Sequence, residues 1–421
     1  MNAKIIGVGG SSGKTSLTLL ISLILKEKYK VKQSGGKNSE VGLPLDILDI
    51  AIGNNSFYDW VRILVLAFLK AFQNPKQYDY YIVEMGIDSP VEPKNMSYLL
   101  KIVTPDIAVV TNVSLEHSQY FDDFVKEKDP EKREQEIIKL TAKQETLLLT
   151  SLSKMNMAIV NIDDEQIKQI LPDIHSRKIF ISLQNKSADF YAKEIGIDLD
   201  KFLLEFVYMN KTYKIILHQP LPMHFAYEFL FALGIATNLQ IPIETSVSAI
   251  ENNFALPPGR LSIFKGIKDT TIIDSSYNNA TLAPIIDVLD LMQKFGGKRR
   301  KVAVLGDMRE LGSMSKINHE AVAKKILSSL DLVILIGPLM QNYVAPILEK
   351  NNFHFFSFST FTAAKEKIIE SIKKDDIVLV KGSQNTLFLE RVVEMLLVDK
   401  NEIAKLCRRG EFWDLKRSET P

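Results

Sequence analysis

Six consecutive residues near the start of the chain have the makings of a phosphate site: Gly10-Ser11-Ser12-Gly13-Lys14-Thr15. They follow an apolar run at 4–8 and open a stretch, 15–29, whose apolar residues recur at helical spacing. A strand, a glycine-bearing turn and a helix N-terminus, in that order, present backbone N–H groups to phosphate oxygens. In such a loop the lysine offsets β/γ-phosphate charge and the hydroxyl of the next residue ligates Mg2+. The loop is the short GxxGKT form, with Val8 where the longer form places glycine. A chance turn rich in Gly and Ser is the competing reading, and the flanking strand and helix weigh against it.

Other residues could serve the same chemistry. Glu84 ends an apolar strand at the sheet edge expected to face the loop. A carboxylate there is the hard oxygen ligand that Mg2+ takes beside a hydroxyl, although a strand-end carboxylate can also be plain surface. His117 follows another strand end, and a lone histidine in that position is more often structural than ligating. Arg260 follows the turn Pro257-Pro258-Gly259. A guanidinium at such a hinge could reach a phosphate when two domains close, or simply cap a turn.

The elements that must position these groups form an alternating series. Residues 4–8, 80–83, 107–111 and 157–161 read as buried parallel strands. A second series, at 271–274, 301–305, 332–336 and 376–381, follows the Pro-Pro-Gly turn, with helices between. Strands alternating with helices predict α/β domains with mostly parallel sheets. The expected division is 1–258, 259–400 and a tail, 401–421, whose last dozen polar residues read as frayed. The charged segment 126–136 reads as a solvated helix or loop. Residues 60–72 are apolar but carry Arg62 and Lys70 and are too short to span a bilayer. They suit a buried or surface-docked helix, with contact to a membrane surface or a partner as the alternative.

Composition sets the outer bounds. The chain has 421 residues, 46% hydrophobic and 24% charged, as in soluble multidomain proteins. Its formal net charge of +1 gives no basic footprint for nucleic acid. The one cysteine, Cys407, excludes both a disulfide framework and a thiolate metal cluster. The N-terminus runs straight into a strand-like segment without a signal peptide, so a monomeric cytoplasmic protein is expected.

Several further segments share an order and spacing. They are Gly36 to Leu45, Glu84-Met85-Gly86, Thr111-Asn112 with Glu116-His117, Pro258-Gly259-Arg260 and Asp274-Ser275-Ser276-Tyr277-Asn278. Leu305 to Gly312 with His319, and Lys381-Gly382-Ser383, complete the set. Together with the short phosphate loop they resemble the Mur ligase family over nearly the whole chain, most of all the branch that adds D-alanyl-D-alanine to a UDP-muramoyl tripeptide. The resemblance implies a P-loop ATPase domain with an insert at 54–78, followed by a Rossmann-like domain. It implies an ADP-forming peptide ligase of cell-wall synthesis that uses ATP and Mg2+, joins a muramoyl peptide to a dipeptide, and passes through an acyl phosphate. Carried over by position, Thr15, Glu84 and His117 serve metal, while Asn112, His224, Arg260, Asp274, Tyr277 and Asn278 serve the nucleotide.

A carbamylated lysine is implied too. Ala142-Lys143-Gln144-Glu145 resembles the branch's Ala-Lys-Gly-Glu, which makes Lys143 the expected site and Lys128 a rival. The chain departs from the family where Phe225 and Glu228 replace base-holding asparagines, at Asn279-Ala280-Thr281, and at Gln384-Asn385. Because the loop strand begins at Lys4, no N-terminal uridine-binding domain is expected. Two alternatives stay open: a related ligase or amidating subunit with a cell-wall or polyglutamate-type substrate, and a nucleotide-binding partner module without ligase activity.

Overall fold

The computed structural model describes residues 3–34, 38–51, 53, 56–73, 77–115, 119–277, 282–309, 311–382 and 387–420. His117 and Asn278, both expected site residues, lie outside them. The chain divides into two compact units. The first takes Met1–Ile195, Leu203–Ile216 and His224–Phe254; the second takes Gly196–Phe202, Leu217–Met223 and Ala255–Pro421.

The first sheet has nine strands. They are β1 (Lys4–Gly9), β2 (Val31–Gln33), β3 (Tyr80–Glu84), β4 (Ile107–Val110), β5 (Met157–Asn161), β6 (Arg177–Ser182), β7 (Phe190–Asp198), β8 (Lys201–Tyr208) and β9 (Lys211–Leu217). Their order is β2-β3-β1-β4-β5-β6-β7-β8-β9. β1 pairs in parallel with β3 on one side and β4 on the other, with Val8 opposite both Glu84 and Val109. β3, β4 and β5 are buried at every residue, as strands covered on both faces must be, which is why they read as uninterrupted apolar runs. The chain order reverses at β1, and a doubly wound sheet binds ligands at the C-terminal strand ends of such a point.

The helix Lys14–Leu25 buries Leu17, Leu20, Ile21, Ile24 and Leu25 and packs against the helix His224–Asn238. The strands β7 to β9 were not foreseen. Two-residue links join them, and Met209-Asn210 between β8 and β9 has φ of 49° and 60°, as a type I′ turn requires.

The second sheet comprises β10 (Ser262–Lys265), β11 (Thr271–Ser275), β12 (Lys301–Gly306), β13 (Leu332–Ile336), β14 (Phe355–Phe358) and β15 (Ile377–Lys381). Their order is β10-β11-β15-β12-β13-β14, parallel apart from the edge strand β10. Ile272, Val304, Ile334, Val378 and Val380 form its core with Leu389, Val392 and Val393.

The charged segment is, as expected, a solvated loop and helix: a loop through Asp129, whose carboxylate caps a helix, Pro130–Glu145. Arg133 ties that loop down through Asp122 and the carbonyls of Val125 and Glu127. The tail is not frayed. Leu406, Cys407 and Arg408 are buried, and Glu411–Ser418 is a helix held by Arg391, which donates to the Thr420 carbonyl at 2.7 Å. Among the described residues no helix is long and apolar enough to cross a membrane.

Candidate active site

In the first unit the loop between β1 and the helix Lys14–Leu25 is shaped by Gly10 and Gly13, at φ of 114° and 78°. Only glycine adopts such angles without strain. A Cβ at Gly10 would also lie 2.2 Å from the Thr111 hydroxyl, and one at Gly13 would lie 2.8 Å from Glu228 Oε1.

The protein holds the front of the loop by its own groups. The Gly10 N–H donates to Glu145 Oε2 at 2.8 Å. The Ser11 N–H donates to the Asn112 carbonyl at 2.9 Å, and the Ser12 N–H to Asn112 Oδ1 at 3.1 Å. Asn112 Nδ2 returns a bond to Ser12 Oγ at 2.8 Å. Ser11 Oγ accepts from the Ser114 N–H at 2.8 Å. The first intrahelical bond runs from the Leu17 N–H to the Gly13 carbonyl. The N–H groups of the first helical turn therefore lack intrahelical acceptors and point out of the helix end, where they suit an anion. Lys14 Nζ lies over the loop, donating to the carbonyls of Gly10 at 2.5 Å and Ser11 at 3.1 Å.

Thr15 and Glu84 meet beside this cradle. The exposed Thr15 hydroxyl donates to Glu84 Oε2 at 3.0 Å. Glu84 is 4% exposed. Its other oxygen accepts from Asn38 Nδ2 at 3.0 Å, and its N–H donates to Ser34 Oγ at 3.0 Å. The register that sets Val8 opposite Glu84 fixes this meeting. A hydroxyl and a carboxylate beside a phosphate cradle are the protein ligands Mg2+ takes when phosphate oxygens and water fill the rest of its octahedron. The described residues contain no group of three or more His, Cys, Asp or Glu that could hold a metal by themselves.

The sequence reading missed three of these supports. Asn38, Ser34 and Glu145 come to the loop from distant segments; Asn38 and Glu145 stood in quoted motifs without a role, and Ser34 in none. Lys143, two residues before it, is exposed at the end of its helix. Among the described residues it makes no bond to Thr15 or Glu84. Lys128 is exposed in the loop ahead of that helix. His224 is partly exposed, with Nε2 4.0 Å from Oε1 of the buried Glu228.

In the second unit Arg260 lies over the Tyr277 ring at 5.0 Å, and Arg408 lies over the same ring at 5.3 Å. The Tyr277 N–H donates to the Gly259 carbonyl at 3.0 Å. Asp274 is fully buried, accepts from the Ser276 N–H at 3.0 Å, and burial raises its pKa. His319 is structural. Nε2 accepts from the Met308 N–H at 3.2 Å and Nδ1 faces the Ser315 carbonyl at 2.7 Å, which assigns the proton to Nδ1; burial lowers its pKa and keeps the ring neutral. Cys407 packs on Gly259 and Ser276, and burial pushes its thiol up to about 11, so it is no nucleophile.

Comparison with known proteins accords with this geometry. Residues 8–236 match the Mur ligase middle domain, and 259–384 match the Mur ligase, glutamate ligase domain. A similar protein of Buchnera aphidicola, named UDP-N-acetylmuramoyl-tripeptide–D-alanyl-D-alanine ligase, is 27% identical over 94% of this chain and 76% of its own length. The structure resembles MurF from Acinetobacter baumannii, with a TM-score of 0.73 at 19% identity over 93% of this chain and 76% of that one. It also resembles MurF ligase from Thermotoga maritima in complex with ADP, with a TM-score of 0.70 at 20% identity over 96% of this chain and 81% of that one.

Proposed function

The chain belongs to the Mur ligase family, and from that premise we propose that it is an ATP-dependent, ADP-forming peptide ligase. It joins a dipeptide of the D-alanyl-D-alanine class to the terminal carboxylate of a muramoyl peptide. The observation that carries the reading is the Thr15–Glu84 contact at 3.0 Å beside the loop, because phosphoryl transfer needs both a phosphate cradle and a metal carboxylate. The names borne by the similar proteins supply the substrate class.

In this reading ATP is a substrate. The first-turn N–H groups bind its phosphates, and Lys14 leaves the loop carbonyls to offset their charge. Thr15 and Glu84 would hold Mg2+, which supplies further charge neutralisation when bound. Asn112 keeps the loop in shape. A carboxylate oxygen of the donor attacks the γ-phosphorus and ADP departs, leaving an acyl phosphate. The acceptor amine then attacks the carbonyl carbon and loses a proton, and inorganic phosphate leaves with the oxygen that had attacked. His117 and Lys143, the latter as a carbamate, are proposed on the family pattern to join the metal side, and the cytoplasm is the proposed compartment because the reaction consumes ATP.

The test is ADP release by purified protein with donor, acceptor or both. Release should require both, and Lys14→Ala and Glu84→Ala should each cut it at least a hundredfold without changing the circular dichroism. Near-normal turnover by Glu84→Ala at limiting Mg2+ would remove the metal assignment. Nucleotide binding without acceptor-dependent turnover would leave only a binding module.

A further inference from the structure

The helix Phe57–Ala71 is apolar on both sides, although only one side is used by the fold. Ile63 packs into a small core with Leu45 and Ile50, supported by Leu48, Leu66 and Ala67. The opposite side is bare. Phe57, Tyr58 and Phe72 are 77%, 83% and 77% exposed, and Val61, Leu64 and Phe68 lie exposed between them. At about 100° per residue the exposed side chains fill an arc of roughly 180°. Usual side-chain areas put that face on the order of 1000 Å2, whereas the largest apolar patch on an ordinary monomer is about 300–600 Å2.

We propose that this face docks on the interfacial zone of a lipid bilayer. Three observations favour a lipid surface over a second copy or another protein. The first is width. A partner helix covers a stripe of about 100°, so a paired copy would leave much of the arc wet and fall short of the roughly 800 Å2 per partner of a stable interface, while a planar surface covers all of it. The second is zonation. Val61, Phe68, Phe57 and Phe72 occupy the middle of the arc, and Trp60 and Tyr58 lie toward its two edges, the level at which amphipathic rings meet headgroups. The third is charge. Asp59, the helix's one carboxylate, is buried and accepts from the Gly53 N–H and from Arg62. Arg62 and Lys70 lie outside the arc and donate to the carbonyls of Ala51 and Asp49. The face thus offers lipid headgroups no like charge, and apolar burial drives its docking.

This inference stands apart from the ligase reading and is tested without substrates. The chain has two tryptophans, so Trp413→Phe leaves Trp60 as the reporter. Flotation with phosphatidylcholine vesicles, with and without phosphatidylglycerol, should recover the protein in the lipid layer with a blue shift of Trp60 emission. Leu64→Glu with Phe68→Glu should weaken partition at least tenfold while leaving the thermal melt and the circular dichroism unchanged. Partition untouched by the double substitution would overturn the proposal. So would absence of partition, whether the protein is then a monomer or, by sedimentation equilibrium, a dimer that Leu64→Glu dissociates.

Discussion

Glu145 shows how a residue's role can depend on a neighbour that sequence order hides. It is separated from Gly10 by 135 positions, yet it fixes the first N–H of the phosphate loop and leaves the later ones for ligand. A charge-assisted bond of that kind contributes about 1.5–3 kcal/mol. Glu145→Gln should therefore raise the KM for ATP by about tenfold or more, with kcat less affected; an unchanged KM would make the contact merely structural. Lys143 sits beside it but is exposed. If it carries a carbamate near the metal, Lys143→Ala should lose most ligase activity and regain part of it with added formate, and Lys128→Ala should stay active. Full activity of Lys143→Ala, or loss and rescue in Lys128→Ala alone, would contradict that assignment. The loop itself and Glu84 were legible because strand, glycine turn and helix are local patterns. Asn38, Ser34 and Glu145 were not, because hydrogen bonding across distant segments leaves no periodic trace.

At the level of elements, β3, β4 and β5 were legible because complete burial turns a parallel strand into an unbroken apolar run. The strands β7 to β9 were hidden by half-exposed, charged sequences such as Tyr191-Ala192-Lys193-Glu194, which carry no such run. The C-terminal helix was hidden by its polar composition, since what holds it and the segment before it is a set of specific hydrogen bonds and ion pairs, Arg391 to the Thr420 carbonyl and Arg417 to Glu394 among them. Arg408 Nη1 lies 2.7 Å from Glu390 Oε2, both side chains almost fully enclosed, and Arg408 also donates to the carbonyls of Ser276 and Tyr277. Burial raises the Glu390 pKa against the pull of Arg408. Arg408→Met removes the cation, strands the carboxyl and frees two carbonyls. It should cost about 3–5 kcal/mol, read as a lower urea midpoint with an unchanged slope. A loss under about 0.5 kcal/mol, the size of an exposed pair, would show that the tail is docked by other contacts.

For the whole molecule, the family assignment and the loop geometry lead to one chemical claim: phosphate is carried by the donor carboxylate before the amide bond forms. A simple ATPase transfers the γ-phosphoryl group to water, and a binding module transfers it nowhere. The outcomes differ in the fate of one oxygen atom. A muramoyl peptide with 18O in its terminal carboxylate, incubated with ATP, Mg2+ and the dipeptide acceptor, should yield inorganic phosphate bearing one 18O per ligated product, measured by mass spectrometry. Ligated product accompanied by unlabelled phosphate would contradict the acyl-phosphate route, and labelled donor returned intact beside unlabelled phosphate would contradict the ligase assignment itself.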